Sequence, residues 1–237
     1  MLAAGGPAGI AAALVIFLFA LTGSAAAEEL VDLELVLAID GSSSIDESEF
    51  ALEMEGYAAA FRDPAVRTAI VSGPTKRIAV TVLVWADASV PKMETEWFVL
   101  ASVSDIYRFA SFMETLNRGA VGGTGIGAGV AVAIRRLDRN GIIAPRQVVD
   151  VSGDGRETPP RELVVEMPRA RAMAAARGVT INGLAIENED PGLADWYRNN
   201  VISGRDAFVV GAADFEDFVD AIRRKLIREI KWPERMS

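Results

Sequence analysis

The sequence contains no cysteine and no histidine. Without cysteine there is no disulfide, no thiolate nucleophile and no thiolate metal ligand. Without histidine there is no Ser-His-Asp triad and no imidazole-bound zinc. Any metal ion must be held by oxygen, and oxygen donors favour hard cations such as Mg2+, Mn2+ or Ca2+. Positive charge is also short. The 24 Lys and Arg stand against 33 Asp and Glu, a formal net charge of −9. That balance argues against a nucleic-acid partner, whose phosphates need a basic surface. It also argues against spontaneous docking on an anionic membrane.

Residues 1–27 lack any charged side chain. Within them, 10–21 is almost wholly apolar, followed by Thr22-Gly23-Ser24 and Ala25-Ala26-Ala27 before Glu28-Glu29. A short apolar core ahead of a small-x-small site is the pattern of a cleavable signal peptide, although the usual basic n-region is missing. The competing reading is a retained anchor over 3–21, a stretch nearly long enough to span a bilayer. No cysteine follows the apolar run, which excludes a lipoprotein. The expected organisation is a signal peptide at 1–27 and one domain at 28–237. The protein is then periplasmic or secreted, with no stable membrane insertion once the signal is cleaved.

Beyond residue 30, apolar runs of strand length alternate with longer amphipathic stretches. Strands are expected at 33–39, 77–85, 147–151, 179–186 and 207–210, with a short hairpin partner at 97–100. Helices are expected at 47–61, 105–116, 126–137, 161–177, 193–201 and 215–230. The first of these places Phe50, Met54, Tyr57 and Phe61 at helical spacing. Pro168 should kink or interrupt the fourth, which Gly178 ends. The last should bury Phe215, Phe218, Val219, Ile222 and Leu226, and expose the basic end Arg223, Arg224, Lys225 and Arg228. This alternation predicts an α/β fold: a three-layer, doubly wound, mostly parallel sheet with helices on both faces and one short antiparallel edge strand. Ligands of such sheets bind at the carboxyl ends of the strands, at the topological switch point.

Three loops follow that logic. Asp40-Gly41-Ser42-Ser43-Ser44 fits Asp-x-Ser-x-Ser, one carboxylate and two hydroxyls that a tight loop can converge. Its bland reading is a helix start, because Ser44 to Glu47 and Asp46 to Glu49 both match capping boxes. Gly122-Gly123-Thr124-Gly125 precedes a helix, and Thr124 reads equally well as an N-cap. A phosphate-cradling role for it is disfavoured, because no strand directly precedes the loop and no Gly-Lys-Ser/Thr is present. Ser152-Gly153-Asp154-Gly155 follows a strand, and Asp-Gly is also a common turn. Separately, Asp150 lies inside an apolar strand and needs a partner there; Arg146 and nearby backbone groups are the candidates.

Each loop is weak alone, but their order is informative. Together they resemble the von Willebrand factor type A domain, over roughly residues 31–230. That family's metal-ion-dependent adhesion site uses Asp-x-Ser-x-Ser, a Thr in a Gly-rich loop, and an Asp before Gly. The resemblance assigns these metal-binding roles to Asp40, Ser42, Ser44, Thr124 and Asp154. Gly153 departs from it, because the family often has Thr or Ser there. The chain also resembles bacterial secreted proteins that carry this domain. By the resemblance, Mg2+ (or Mn2+ or Ca2+) would sit on the three hydroxyls, with the two aspartates binding directly or through water. An acidic residue of a protein partner would complete the shell, giving recognition without catalysis. The alternative is a metal-assisted hydrolase of phosphate esters in the cell envelope. With no histidine, its base would have to be Asp46, Glu47 or Glu157.

Overall fold

The apolar run after residue 32 becomes the middle of the sheet, as its unbroken hydrophobicity requires. The computed structural model describes residues 28–119, 121–138, 140–158 and 164–233; the expected signal segment 1–27 lies outside them. In chain order the elements begin with β1 (Glu29–Leu30), β2 (Glu34–Asp40), α1 (Glu47–Arg62), α2 (Pro64–Ile70) and β3 (Ile78–Trp85). Next come β4 (Met93–Glu94), β5 (Phe98–Leu100), α3 (Val103–Met113), α4 (Ile126–Arg136), β6 (Ile142–Ile143) and β7 (Gln147–Gly153). The chain finishes with α5 (Met167–Arg177), β8 (Thr180–Ile186), α6 (Leu193–Asn200), β9 (Val209–Ala212) and α7 (Phe218–Ile230).

The main sheet runs β4-β3-β2-β7-β8-β9, with β5 also on β3. Strands β3, β2, β7, β8 and β9 are parallel to their neighbours, while β4 and β5 pair antiparallel with β3. The fold is therefore the doubly wound α/β sheet expected from the sequence. All seven residues of β2 and all eight of β3 are buried, because helices cover both faces. Alternation divides β2 between two cores. Leu35, Leu37 and Ile39 pack with Phe50, Tyr57, Phe61, Phe109, Phe218 and Leu226 from α1, α3 and α7. Val36 and Ala38 pack with Trp85, Ile126, Val130, Ala170 and Tyr197, the last four from α4, α5 and α6. From β2 the chain winds first to β3 and later returns to β7 on the other side. The switch point thus lies at the carboxyl ends of β2 and β7, where Asp40 and the 152–155 loop stand. Among the described residues, no helix is long and apolar enough to cross a membrane.

Several boundaries differ from expectation for local reasons. The helix predicted to end at 61 is followed by a second one, α2. Asp63 ends α1 and its side chain caps α2, whose first turn holds Pro64, a residue that cannot continue α1. Pro168 does not kink α5; it lies in the first turn, where its missing N–H costs nothing. The predicted hairpin partner is split into β4 and β5, and the strand predicted at 207–210 lies at Val209–Ala212. Helix α7 starts at Phe218, later than predicted, and two of its side chains reverse their expected sides. Val219 is 38 % exposed, whereas Lys225 is fully buried.

Candidate metal centre

The Asp40 loop is built from its own hydrogen bonds. Asp40 ends β2, and its Oδ1 accepts from the Ser42 N–H at 2.7 Å, an Asx turn that reverses the chain. Gly41 permits this path, because a Cβ there would lie 2.8 Å from a methyl of Val84. The turn brings the Ser42 and Ser44 hydroxyls to 3.1 Å from one another. Ser44 Oγ donates to Asp154 Oδ1 at 2.7 Å, joining two loops 110 residues apart. Ser44 is not the helix cap. Asp46 caps α1 by accepting from the Ser48 and Glu49 amides, and Glu49 returns the bond to the Asp46 N–H.

Thr124 is not a cap either. Helix α4 begins after Gly125, with no side-chain cap. The Thr124 N–H donates to Thr158 Oγ1 at 2.7 Å, and its carbonyl accepts from the Thr158 N–H and hydroxyl, both at 2.9 Å. Its own Oγ1 faces the residue after Asp154, 3.6 Å from where a Cβ on Gly155 would stand. The 122 loop is also stitched to the 43 loop: Ser43 N–H donates to the Gly122 carbonyl at 2.8 Å, and Gly122 N–H to Ser43 Oγ at 3.0 Å. All five candidate residues therefore stand on three loops at the carboxyl ends of the strands. Asp40, Ser42, Ser44 and Asp154 form one hydrogen-bonded chain, with Thr124 alongside. A cavity of about 210 Å³ opens beside Thr124, lined in part by Asp87, Glu157, Thr158, Val165 and Trp196.

The electrostatics are unusual. Asp40 is fully buried and Asp154 is 3 % exposed. Burial, then the charge of Asp154, pushes the Asp40 carboxyl from its ordinary 3.8 up to about 8. Burial also raises Asp154. A third carboxylate, Glu53 on α1, was not among the sequence candidates. It is fully buried, accepts from Ser152 Oγ at 2.7 Å, and is raised well above its usual range by burial and then by Asp40, Asp154 and Asp150. Its signal was present: Glu53 falls three residues after Phe50 and four before Tyr57, on the stripe that had to face the core. Among the described residues, Asp40 Oδ2, Glu53 Oε2 and Asp154 Oδ2 are buried without a hydrogen-bond partner. No three carboxylate, histidine or cysteine side chains among these residues converge as a ligand set. An ion bound here would therefore depend on the hydroxyls of Ser42, Ser44 and Thr124 as well as on Asp40 and Asp154.

The Gly153 departure has a steric cause. A Cβ at that position would lie 2.7 Å from Asp40 Oδ2 and 2.7 Å from the Tyr197 hydroxyl. Asp150 pairs neither with Arg146 nor with backbone. It forms an ion pair with the buried Lys225 of α7. Lys225 also reaches Glu229 at 3.3 Å, and Asn182 donates to Glu229 at 2.6 Å. Arg146 instead donates to the carbonyls of Glu229 and Ile230 at the end of α7.

Residues 30–234 match the family described as "Protein of unknown function (DUF1194)". No curated protein matches the chain in sequence. Several solved structures share the fold. Proximal thread matrix protein 1 from the mussel byssus superposes with a TM-score of 0.58 at 16 % identity, over 86 % of this chain and 47 % of that one. Another structure of that protein is described as having a zinc-occupied MIDAS motif, the acronym of the metal-ion-dependent adhesion site. A von Willebrand factor type A protein from Catenulispora acidiphila gives 0.58 at 16 % identity, over 84 % and 43 %. The vWF domain of the type V pili tip protein Mfa5 from Porphyromonas gingivalis gives 0.53 at 12 %, over 86 % and 98 %. The chain thus spans less than half the length of the first two proteins and nearly all of the Mfa5 domain. The chain belongs to the DUF1194 family, and its fold is that of the von Willebrand factor type A domain.

Proposed function

We propose that this domain binds a divalent cation through Asp40, Ser42, Ser44, Thr124 and Asp154 and uses it to capture an acidic residue of a protein partner. One observation carries the reading. The fold buries Asp40 and Asp154 at this point, with Glu53 nearby on α1, and leaves an oxygen of each without a hydrogen-bond partner among the described residues. Burying unpaired carboxylates is costly, and a cation supplied from solution removes that cost. The donors are all oxygen, which suits Mg2+ or Mn2+. With three neutral hydroxyls in the shell, a bound ion would stay electrophilic and accept a carboxylate from outside. The zinc-occupied site of the mussel thread protein supports the same use of this fold. The pilus-tip domain supports an assembly or adhesion role. Residues 1–27 would direct export, leaving 28–237 as the working domain in the periplasm or outside the cell.

The hydrolytic alternative has less support from its candidate bases. Asp46 is committed to capping α1. Glu157 accepts from the Gly127 N–H at 2.7 Å and the Met167 N–H at 3.2 Å, at the starts of α4 and α5. Glu47 is exposed in the first turn of α1.

Titration calorimetry of the purified chain with Mg2+ and Mn2+ tests the ion site. Binding that disappears in Asp40→Ala and Thr124→Ala, with the fold retained, is the expected result; undiminished affinity in both variants would sink it. Capture of partners from envelope extract, with and without EDTA, tests the recognition role, and identical partners in both arms would contradict it.

A further inference from the structure

Tyr197 is a polar side chain beside the site that the five-residue assignment leaves unused. It projects from α6, on the opposite side of the sheet from α1. Its side chain is fully buried, and its hydroxyl has no hydrogen-bond partner among the described residues. A buried tyrosine hydroxyl normally finds one. A tyrosine kept for apolar packing alone would be replaceable by phenylalanine without this penalty.

The hydroxyl's surroundings say what it is for. It lies 2.7 Å from the point where a Cβ on Gly153 would stand, and Asp40 Oδ2 lies 2.7 Å from the same point. Both oxygens therefore border the small space that a side chain at 153 would fill, close to one another but not hydrogen-bonded to each other. Each is buried, and each lacks a partner. One is an obligate acceptor when ionised and the other is a donor. The other oxygen of Asp40 is already fixed by the Ser42 N–H at 2.7 Å. A donor to Oδ2 would complete the clamp on the carboxylate.

We infer that Tyr197 is a positioning residue for the metal centre: its hydroxyl, admitted by the absence of a side chain at Gly153, stands unbonded beside Asp40 Oδ2 and donates to that oxygen when the carboxylate is ionised around an ion, holding it in place. This rests on the proposed ion site. The residue does not touch the ion. It acts through Asp40, as partners of metal-ligating side chains do, and removal of such partners typically weakens metal binding by about 10- to 100-fold. The closeness also explains why a larger residue at 153 is incompatible with Tyr197 as it stands.

That exclusivity supplies the test. Mn2+ affinity is measured by calorimetry on the full chain, for the native protein, Tyr197→Phe, Gly153→Ser and the double variant, with thermal melting of each metal-free form. Tyr197→Phe keeps the ring packing, and its melting temperature should stay near the native value while Mn2+ binding weakens about tenfold or more. Gly153→Ser alone should also weaken binding, because the serine collides with the tyrosine oxygen. In the double variant the clash with the tyrosine oxygen is gone but the clash with Asp40 remains, so its affinity should stay below native. Native-like Mn2+ affinity in Tyr197→Phe overturns the inference and leaves the ion site standing. If the native chain binds no Mn2+, the ion site itself fails, and the inference with it.

Discussion

Strand β7 and the turn that follows it carry two buried carboxylates, Asp150 and Asp154, and a cation of the chain stands against only the first. Asp150 looks toward α7 and meets Lys225, which is shared with Glu229 and backed by Asn182. Asp154 looks toward the loops, beside Asp40 and Glu53, and an oxygen of each of these three finds no partner among the described residues. Burial raises Asp150 and Asp40 alike, each to about 8. The causes differ: beyond burial, Asp154 raises Asp40, whereas Glu229 raises Asp150 and Lys225 opposes it; only the Asp150 site has a cation of the chain beside it. There the compensating charge is covalently part of the chain, and at the other site it is left for solution to provide. A buried cluster that a protein does not neutralise from its own residues is a statement about a ligand.

The comparison can be broken from either side. The largest effect is expected from Lys225→Met, which strands Asp150 and Glu229 without their cation; stability in urea should fall by about 3–5 kcal/mol. A loss of less than about 1 kcal/mol would show that the triad is not what holds α7 to β7. At the other cluster the sign reverses. Asp40→Asn replaces a buried carboxyl that burial holds protonated with a neutral group of similar shape, so the metal-free domain should melt no lower than native, while Mg2+ affinity falls at least 100-fold, about 2.7 kcal/mol. A variant that still gains stability on adding Mg2+ would contradict that assignment.

Acidity sharpens the contrast. Between pH 4 and 8 the folded Asp40 carboxyl holds a proton that the unfolded chain has released. Stability of the metal-free protein is therefore fully present below the ordinary carboxylate range and declines as pH rises through about 8, on the order of 1 kcal/mol per pH unit for one proton. Asp150 contributes in the same direction. Only the Asp40 share should vanish with saturating Mg2+, and Mg2+ affinity should climb over the same interval, because the ion displaces that proton. Melting curves from pH 5 to 8, with and without Mg2+, measure this; parallel curves would remove the distinction between the clusters. The smallest effect is reserved for Asp46→Ala. Losing the α1 cap should cost about 1 kcal/mol in urea and leave Mg2+ affinity unchanged, because Ser44 is free of capping duty.

The doubly wound sheet was readable because it rests on short-range pattern, and the three loops were readable as candidates only through their order. Unbroken apolar runs such as 33–39 mark strands covered on both faces, and Asp-x-Ser-x-Ser is a local spacing. What was not readable depends on pairing across the chain. The competing caps at Ser44 and Asp46 were equal on paper; the structure chooses Asp46, which closes a capping box with Glu49. Lys225 sits in a basic run that reads as solvated, and only the packing of α7 under β7 places it against Asp150. Glu53 was overlooked although its helical position pointed inward. Tyr197 had no signal at all, because its relation to Gly153 exists only once α6 is folded onto the sheet.

The two bonds between Ser43 and Gly122 have a further consequence. They fasten the loop bearing two of the hydroxyls to the loop bearing the third, so the aperture between them cannot widen without losing both. Calcium prefers oxygens at about 2.4 Å and often seven or eight of them, where magnesium takes six at about 2.1 Å. A laced opening of this kind should act as a size filter, admitting the smaller ion and straining around the larger; Ca2+ displacing Mg2+ at equal concentration would argue against it.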